Sequence, residues 1–209
     1  MAQMLYQGHG SYRFTLEDGT VVYVDPFAGD GYDLPADLVL VTHEHFDHNH
    51  VDLMPHAPGC TVVRAVDLHP SADEYLTTTC KGVRVTAVQA CNKNHPIDEC
   101  VGFLLELDGV GFYASGDTNM TEDMRSGKLA ALGLDYAVFC GDGFYNMDID
   151  EASACAEAVD ARHSIPVHLV PLGGEPTPDQ LFDAEKAARF KARGKVVLEP
   201  GDVLELEHV

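Results

Sequence analysis

The stretch "LVLVTHEHFDHNH", residues 38–50, constrains the fold more than any other part of the chain. Its aliphatic half has the β-branched composition of a buried strand. Directly behind it stand His43, His45, Asp47 and His48. Where a chain leaves a strand still extended, side chains alternate, so His43 and His45 are expected to point the same way. His48 follows Asp47 without a gap and cannot share that direction. One ion would use this arrangement poorly. Two neighbouring ions suit it, with His43 and His45 on one and Asp47 and His48 on the other. The zinc-protease pattern H-E-x-x-H starts correctly at His43-Glu44 but meets Asp47 where its second histidine belongs, so that reading fails. A merely solvated, histidine-rich turn accounts poorly for this order of residues behind an apolar strand. It is the reading adopted for the isolated His50, His56, His69, His163 and His208.

The 209 residues suit one substantial core. A single domain is therefore expected over 1–209. The composition is that of a soluble globular protein, and no apolar run approaches the roughly 20 residues of a membrane span. "MAQMLYQGHGSYRF" lacks the basic and apolar segments of a secretion signal, and the six cysteines form no CxxC pair. Free thiols and a cytoplasmic location are the expectation. The formal charge of −21 is spread along the chain and repels polyanions, which disfavours nucleic acid as a partner. A small-molecule substrate is expected instead.

"SYRFTLEDGTVVYVDP" alternates around Asp18-Gly19, and "VGFLLELDGVGFYASGDT" repeats the design around Asp108-Gly109, 90 residues later. Both are hairpin signals. Tyr23 and Tyr113 hold equivalent places, so two similar β-rich halves, about 1–90 and 91–209, are expected to pack together. Further strands are predicted at 37–42, 61–66, 82–90, 135–140, 164–170 and 195–206. Helices are predicted over 148–163, where Ala152, Cys155, Ala156 and Val159 share a face, and over 177–194, from Thr-Pro to Gly194.

"THEHFDH" resembles the signature of the metallo-β-lactamase fold superfamily. "GHGSYRF…VVYVDPF" is similar to the opening of its predicted metal-dependent hydrolase branch, which includes relatives of ascorbate-6-phosphate lactonase. "NKNHP", "FYASGDT", "GFYNMDIDEA" and "IPVH" follow in family order. The resemblance implies an α/β protein with a four-layer αββα sandwich and a metal site along one edge. It also implies the remaining ligands: Asp117 bridging both ions, His168 joining Asp47 and His48, and His95 joining His43 and His45. Asp25 is expected behind a metal-binding imidazole. His9 is a candidate for the site's surroundings, and Tyr145 and Asn146 are candidates for orienting substrate. Cys91 and Cys140 are expected as small buried hydrophobes. Histidine in each of these positions favours two divalent ions, zinc first, with manganese or iron as the other choices.

A dinuclear site lowers the pKa of a shared water enough to furnish hydroxide near neutral pH. The expected function is hydrolysis of an ester, lactone, amide or phosphodiester in a small substrate, with Asp47 handling the proton. Lys93 is a candidate for holding an anion. Two other classes use the same ligands: a di-iron redox protein, and a non-catalytic metal- or metabolite-binding protein.

Overall fold

The computed structural model describes residues 1–171 and 173–208. Both Asp-Gly hairpins form. In the first, β2 (Ser11–Thr15) returns as β3 (Val21–Val24), with Arg13 opposite Tyr23. In the second, β8 (Val101–Leu107) returns as β9 (Val110–Ala114). Each hairpin belongs to a different sheet.

The first sheet holds β1 (Gln3–Gly8), β2, β3, β4 (Ala36–Val41) and β5 (His56–Arg64) side by side, with β12 (Val203–Glu205) beyond β1. In the second, β6 (Thr77–Cys80), β7 (Val83–Gln89), β8, β9, β10 (Tyr136–Cys140) and β11 (His163–Val167) follow in order. Along β1–β5 the pairings run antiparallel, antiparallel, parallel, parallel. Along β7–β11 the same sequence of pairings recurs. The change of sheet falls between Arg64 and Thr77, earlier than the division near residue 90 read from the sequence, because β6 and β7 join the second sheet.

The sheets meet face to face over one apolar core. Met4, Phe14, Val22 and Leu38 from the first sheet pack with Val85, Phe103, Phe112 and Val138 from the second. Phe14 and Phe112 touch edge to face with centroids 4.9 Å apart, the arrangement their ring quadrupoles favour. On the outer face of the second sheet, Tyr113, Ala137 and Phe139 pack under α3 (Ile149–Val159) and α4 (Ala184–Arg189). The short α2 (Glu122–Arg125) lies beside them. The outer face of the first sheet is covered by irregular chain carrying Tyr32, Leu34, Val51 and Met54. No helix among the described residues is long and apolar enough to cross a membrane.

Three expectations need correction. The helix expected over 177–194 is only α4, capped by Asp183. Residues 177–183 stay irregular because Leu181 is drawn away: its carbonyl accepts from His9 N, and Phe182 packs on Tyr6. The strand expected over 195–206 shrinks to β12, with Lys195 making a single bridge to Ser164. The strand expected at 61–66 ends at Arg64, where Asp67 accepts from the Arg64 N–H and starts the one-turn α1 (Ala65–Leu68).

Phe112 is fully buried where both sheets meet, so Phe112→Ala is expected to cost about 3–5 kcal/mol in urea unfolding. A loss below about 1 kcal/mol would contradict a shared inter-sheet core.

Candidate metal centre

The site is built where strands end. His43 follows β4, Asp25 follows β3, Asp117 follows β9, and His168 follows β11. His9 sits in the β1–β2 turn, and His95 in the connection from β7 to β8. Parallel strands bring their carboxyl ends to one edge, so residues far apart in sequence meet there.

His43 and His45 do converge just beyond the end of β4, with ring centroids 4.6 Å apart. The chain bends after Val41 and turns over His45–His48, closed by His48 N donating to His45 O at 3.0 Å. His43 is buried while His45 is exposed.

Asp117 is the common neighbour. Its Oδ2 lies 3.3 Å from both His95 Nε2 and His168 Nε2, and 4.0 Å from His43 Nε2. Its Oδ1 lies 3.5 Å from His48 Nε2. His45 Nδ1 stands 3.2 Å from His95 Nε2. Asp47 Oδ2 is 3.8 Å from His48 Nε2 and from His168 Nε2. The seven residues expected as ligands, His43, His45, Asp47, His48, His95, Asp117 and His168, are thus brought together. They form overlapping groups, His43–His45–His95 and His43–His48–Asp117, with a third of Asp47, His48, His168 and His9.

A second ring of polar groups holds these rings by their far nitrogens. Thr42 Oγ1 lies 3.0 Å from His43 Nδ1, Asp25 Oδ2 3.0 Å from His48 Nδ1, and Asn92 Oδ1 2.9 Å from His95 Nδ1. Asp142 Oδ2 lies 3.3 Å from His168 Nδ1. Asp25 is where the sequence placed it, behind an imidazole. Asp142 was missed, although it stands in "CGDGFYN", next to the motif that supplied Tyr145 and Asn146. Its signal is local: Oδ1 collects the N–H groups of Phe144, Tyr145 and Asn146, the signature of a carboxylate closing a tight turn.

His9 enters closely, with Nε2 2.9 Å from Asp47 Oδ2. Asn146 is not a wall residue. It is buried behind Asp117, with Nδ2 donating to Asp117 Oδ2 and Asp142 Oδ2, both at 2.8 Å. Tyr145 does line the open cavity. Lys93 is exposed and outside the cavity lining. The remaining histidines serve the scaffold; for example, His69 bonds the carbonyls of Glu74 and Ile97. Cys140 is buried and Cys91 half-buried, neither within the clusters.

The backbone is strained here. His9, Asp25 and His168 take φ of +54°, +46° and +48°, a region costing non-glycine residues about 1–3 kcal/mol each. Close packing fixes them: His168 N donates to His9 O at 2.7 Å, and Asp25 N to Leu40 O at 2.9 Å. A Cβ at Gly10 would stand 3.0 Å from His48 Cε1, so a larger residue there would press on that ring.

Burial and charge act in opposition. Burial, then the charge on His48, holds His43 well below the usual imidazole range. Burial, then His168, pulls His9 down to about 4. Burial also penalises charge on His48, but Asp117, Asp47 and Asp25 outweigh it and push that ring up to about 10. His168 is raised in the same way, chiefly by Asp117 against the burial penalty. Burial likewise opposes the charge on Asp117, yet His168 and His48 hold its carboxyl well below the ordinary range.

The donor set fits divalent cations. His43 Nε2, His48 Nε2 and His168 Nε2 are buried without a hydrogen-bond partner, although buried polar atoms normally have one. All three face Asp117; the far nitrogens of His43 and His48 are hydrogen-bonded, and that of His168 stands 3.3 Å from Asp142 Oδ2 without a formed hydrogen bond. That is how a ligand shell presents itself. Imidazole and carboxylate donors with no thiolate suit zinc, manganese or iron.

Residues 3–168 match the family model described as the beta-lactamase superfamily domain. The chain is 28% identical over 233 residues to a metal-dependent hydrolase from Pyrococcus furiosus, across 99% of this chain and 100% of that protein. It is 31% identical over 194 residues to another so named from Nitratidesulfovibrio vulgaris, covering 79% of each. Its fold matches the solved structure of Igni18, a metallo hydrolase from Ignicoccus hospitalis, with a TM-score of 0.68, 18% identity and 99% coverage of both chains.

Asp25→Asn and Asp142→Asn are each expected to weaken zinc affinity about 10–100-fold in chelator competition, with the far-ultraviolet spectrum unchanged. Undiminished affinity in both variants would show that these carboxylates do not support the ligand rings.

Proposed function

This chain belongs to the beta-lactamase superfamily, and from that membership and its site we propose a metal-dependent hydrolase that works with two divalent ions, zinc foremost. His43, His45 and His95 would hold one ion, Asp47, His48 and His168 the other, and Asp117 both. The observation carrying this reading is the set of three unpartnered buried imidazole nitrogens converging on Asp117. A carboxylate with an oxygen for each ion suits the shared position.

Such ions, when bound, supply an acidified water and polarise a carbonyl or phosphoryl oxygen. The chain's own residues do the rest. Asp47 lines the cavity with Oδ2 tied to His9 Nε2 at 2.9 Å, which fixes the carboxylate that takes the proton from the attacking water. His9 thus acts as a positioning residue for Asp47. Asn146 pins Asp117 Oδ2 through its amide. The cavity of about 380 Å³ over the site admits a small substrate, with Tyr145 in its wall. The bond broken is an ester, lactone, amide or phosphodiester.

The test is metal analysis of purified protein coupled to a substrate panel. Chelation should abolish hydrolysis, and added zinc or manganese should restore it. His45→Ala should lose metal occupancy and reduce kcat/KM together, by about 100-fold or more. Undiminished hydrolysis by metal-depleted His45→Ala would reject the assignment. Bound iron with oxygen-dependent turnover and no hydrolysis would instead favour the redox reading, and bound metal without any turnover the binding reading.

A further inference from the structure

The walls of the cavity above the site are chemically one-sided. Phe46, Tyr145 and Pro176 supply its apolar surface, the carboxylates Glu44, Asp47, Asp117 and Glu175 line it, and its imidazoles His45, His95 and His168 all belong to the metal centre. Among the described residues, no lysine or arginine lines it. Asp47 and Asp117 belong to the metal centre. Glu44 is compensated, since Arg64 Nη1 donates to both its oxygens at 2.7 and 2.8 Å. Glu175 is exposed and has no cationic partner among the described residues.

Phe46 is 47% exposed even though its ring is fixed edge to face against Phe27, with centroids 5.8 Å apart. A fixed aromatic left open beside a reaction centre is a contact surface awaiting an apolar group. Beyond the cavity rim, Phe144 is also 47% exposed and packs on Tyr145 with centroids 4.7 Å apart. Tyr145 and Glu175 line the same cavity.

We propose that the part of the substrate away from the scissile bond is apolar and neutral or cationic, packed on Phe46, Tyr145 and Pro176, with Glu175 selecting against appended anions. The proposal rests on the hydrolase reading and narrows it. Cations held by the floor residues would attract the group being cleaved. A phosphate or carboxylate appended elsewhere meets Glu44 and Glu175 on the walls and no lysine or arginine among the described lining residues, within a molecule of net charge −21. Two like charges about 6 Å apart in a half-wet cavity change binding by roughly tenfold. The phosphorylated sugars of the lactonase-related branch are therefore disfavoured here.

The experiment uses zinc-loaded protein with three aryl esters of equal length, ending in tert-butyl, trimethylammonium or carboxylate. The three matching hydroxamates, which chelate zinc without being cleaved, are measured by calorimetry. The neutral and cationic members should exceed the anionic one by about tenfold in both kcat/KM and affinity. Glu175→Lys should raise the anionic-to-cationic ratio at least about tenfold, and Glu175→Gln should fall between. An anionic member that binds as well as the neutral one, or a ratio unmoved by Glu175→Lys, overturns the proposal. If no ester is cleaved, only the ester form of the hydrolase reading fails, while the hydroxamate ranking still decides the charge preference.

Discussion

The buried Asp117 carboxylate holds the site together. A lone carboxylate at 4% exposure is costly, and this one stands among the ring nitrogens of His43, His48, His95 and His168. Neither part is stable there alone. The carboxylate needs positive partners, and Asp117 and its neighbours outweigh the burial penalty at His48 and His168 and so favour the protonated rings. Bound cations would replace that proton-based compensation by a stronger one, so the site couples metal occupancy to stability.

The sandwich exists to make that convergence rigid. Its inter-sheet core of Phe14, Phe103 and Phe112 fixes the two sheets against each other, and each sheet brings part of the donor set to the common edge. His43, Asp47 and His48 come from the first sheet; His95, Asp117 and His168 come from the second. The left-handed backbone of His9, Asp25 and His168 is tolerated because this packing over-determines it. The outer groups Thr42, Asp25 and Asn92 then bond the far nitrogens of His43, His48 and His95, and Asp142 faces that of His168, which orients the four rings.

Much of this was legible in the sequence where the signal is local. Asp18-Gly19 and Asp108-Gly109 fix hairpin registers through turn chemistry, and both hairpins formed. "HEHFDH" behind an aliphatic strand announced the metal chemistry, and His43 and His45 converge as expected, while the turn after His45 carries Asp47 and His48. His95, Asp117 and His168 carry no comparable local pattern; their grouping came from family resemblance, since three-dimensional proximity is not written in spacing. Asp142 escaped because one aspartate between glycines reads as a turn, which it also is. The helix expected from Thr177 shortened because Leu181 and Phe182 satisfy His9 and Tyr6, long-range partners that local propensity does not see. The charge of the cavity walls likewise depends on which distant loops meet, and Glu175 gave no sign of it.

The central claim is that Asp117 sits between two cation positions. Anomalous diffraction at the zinc edge, from crystals grown with zinc, tests it most directly. The account predicts two peaks flanking Asp117, one enclosed by His43, His45 and His95 and the other by Asp47, His48 and His168. Zinc bound away from Asp117, or no zinc retained, would contradict it.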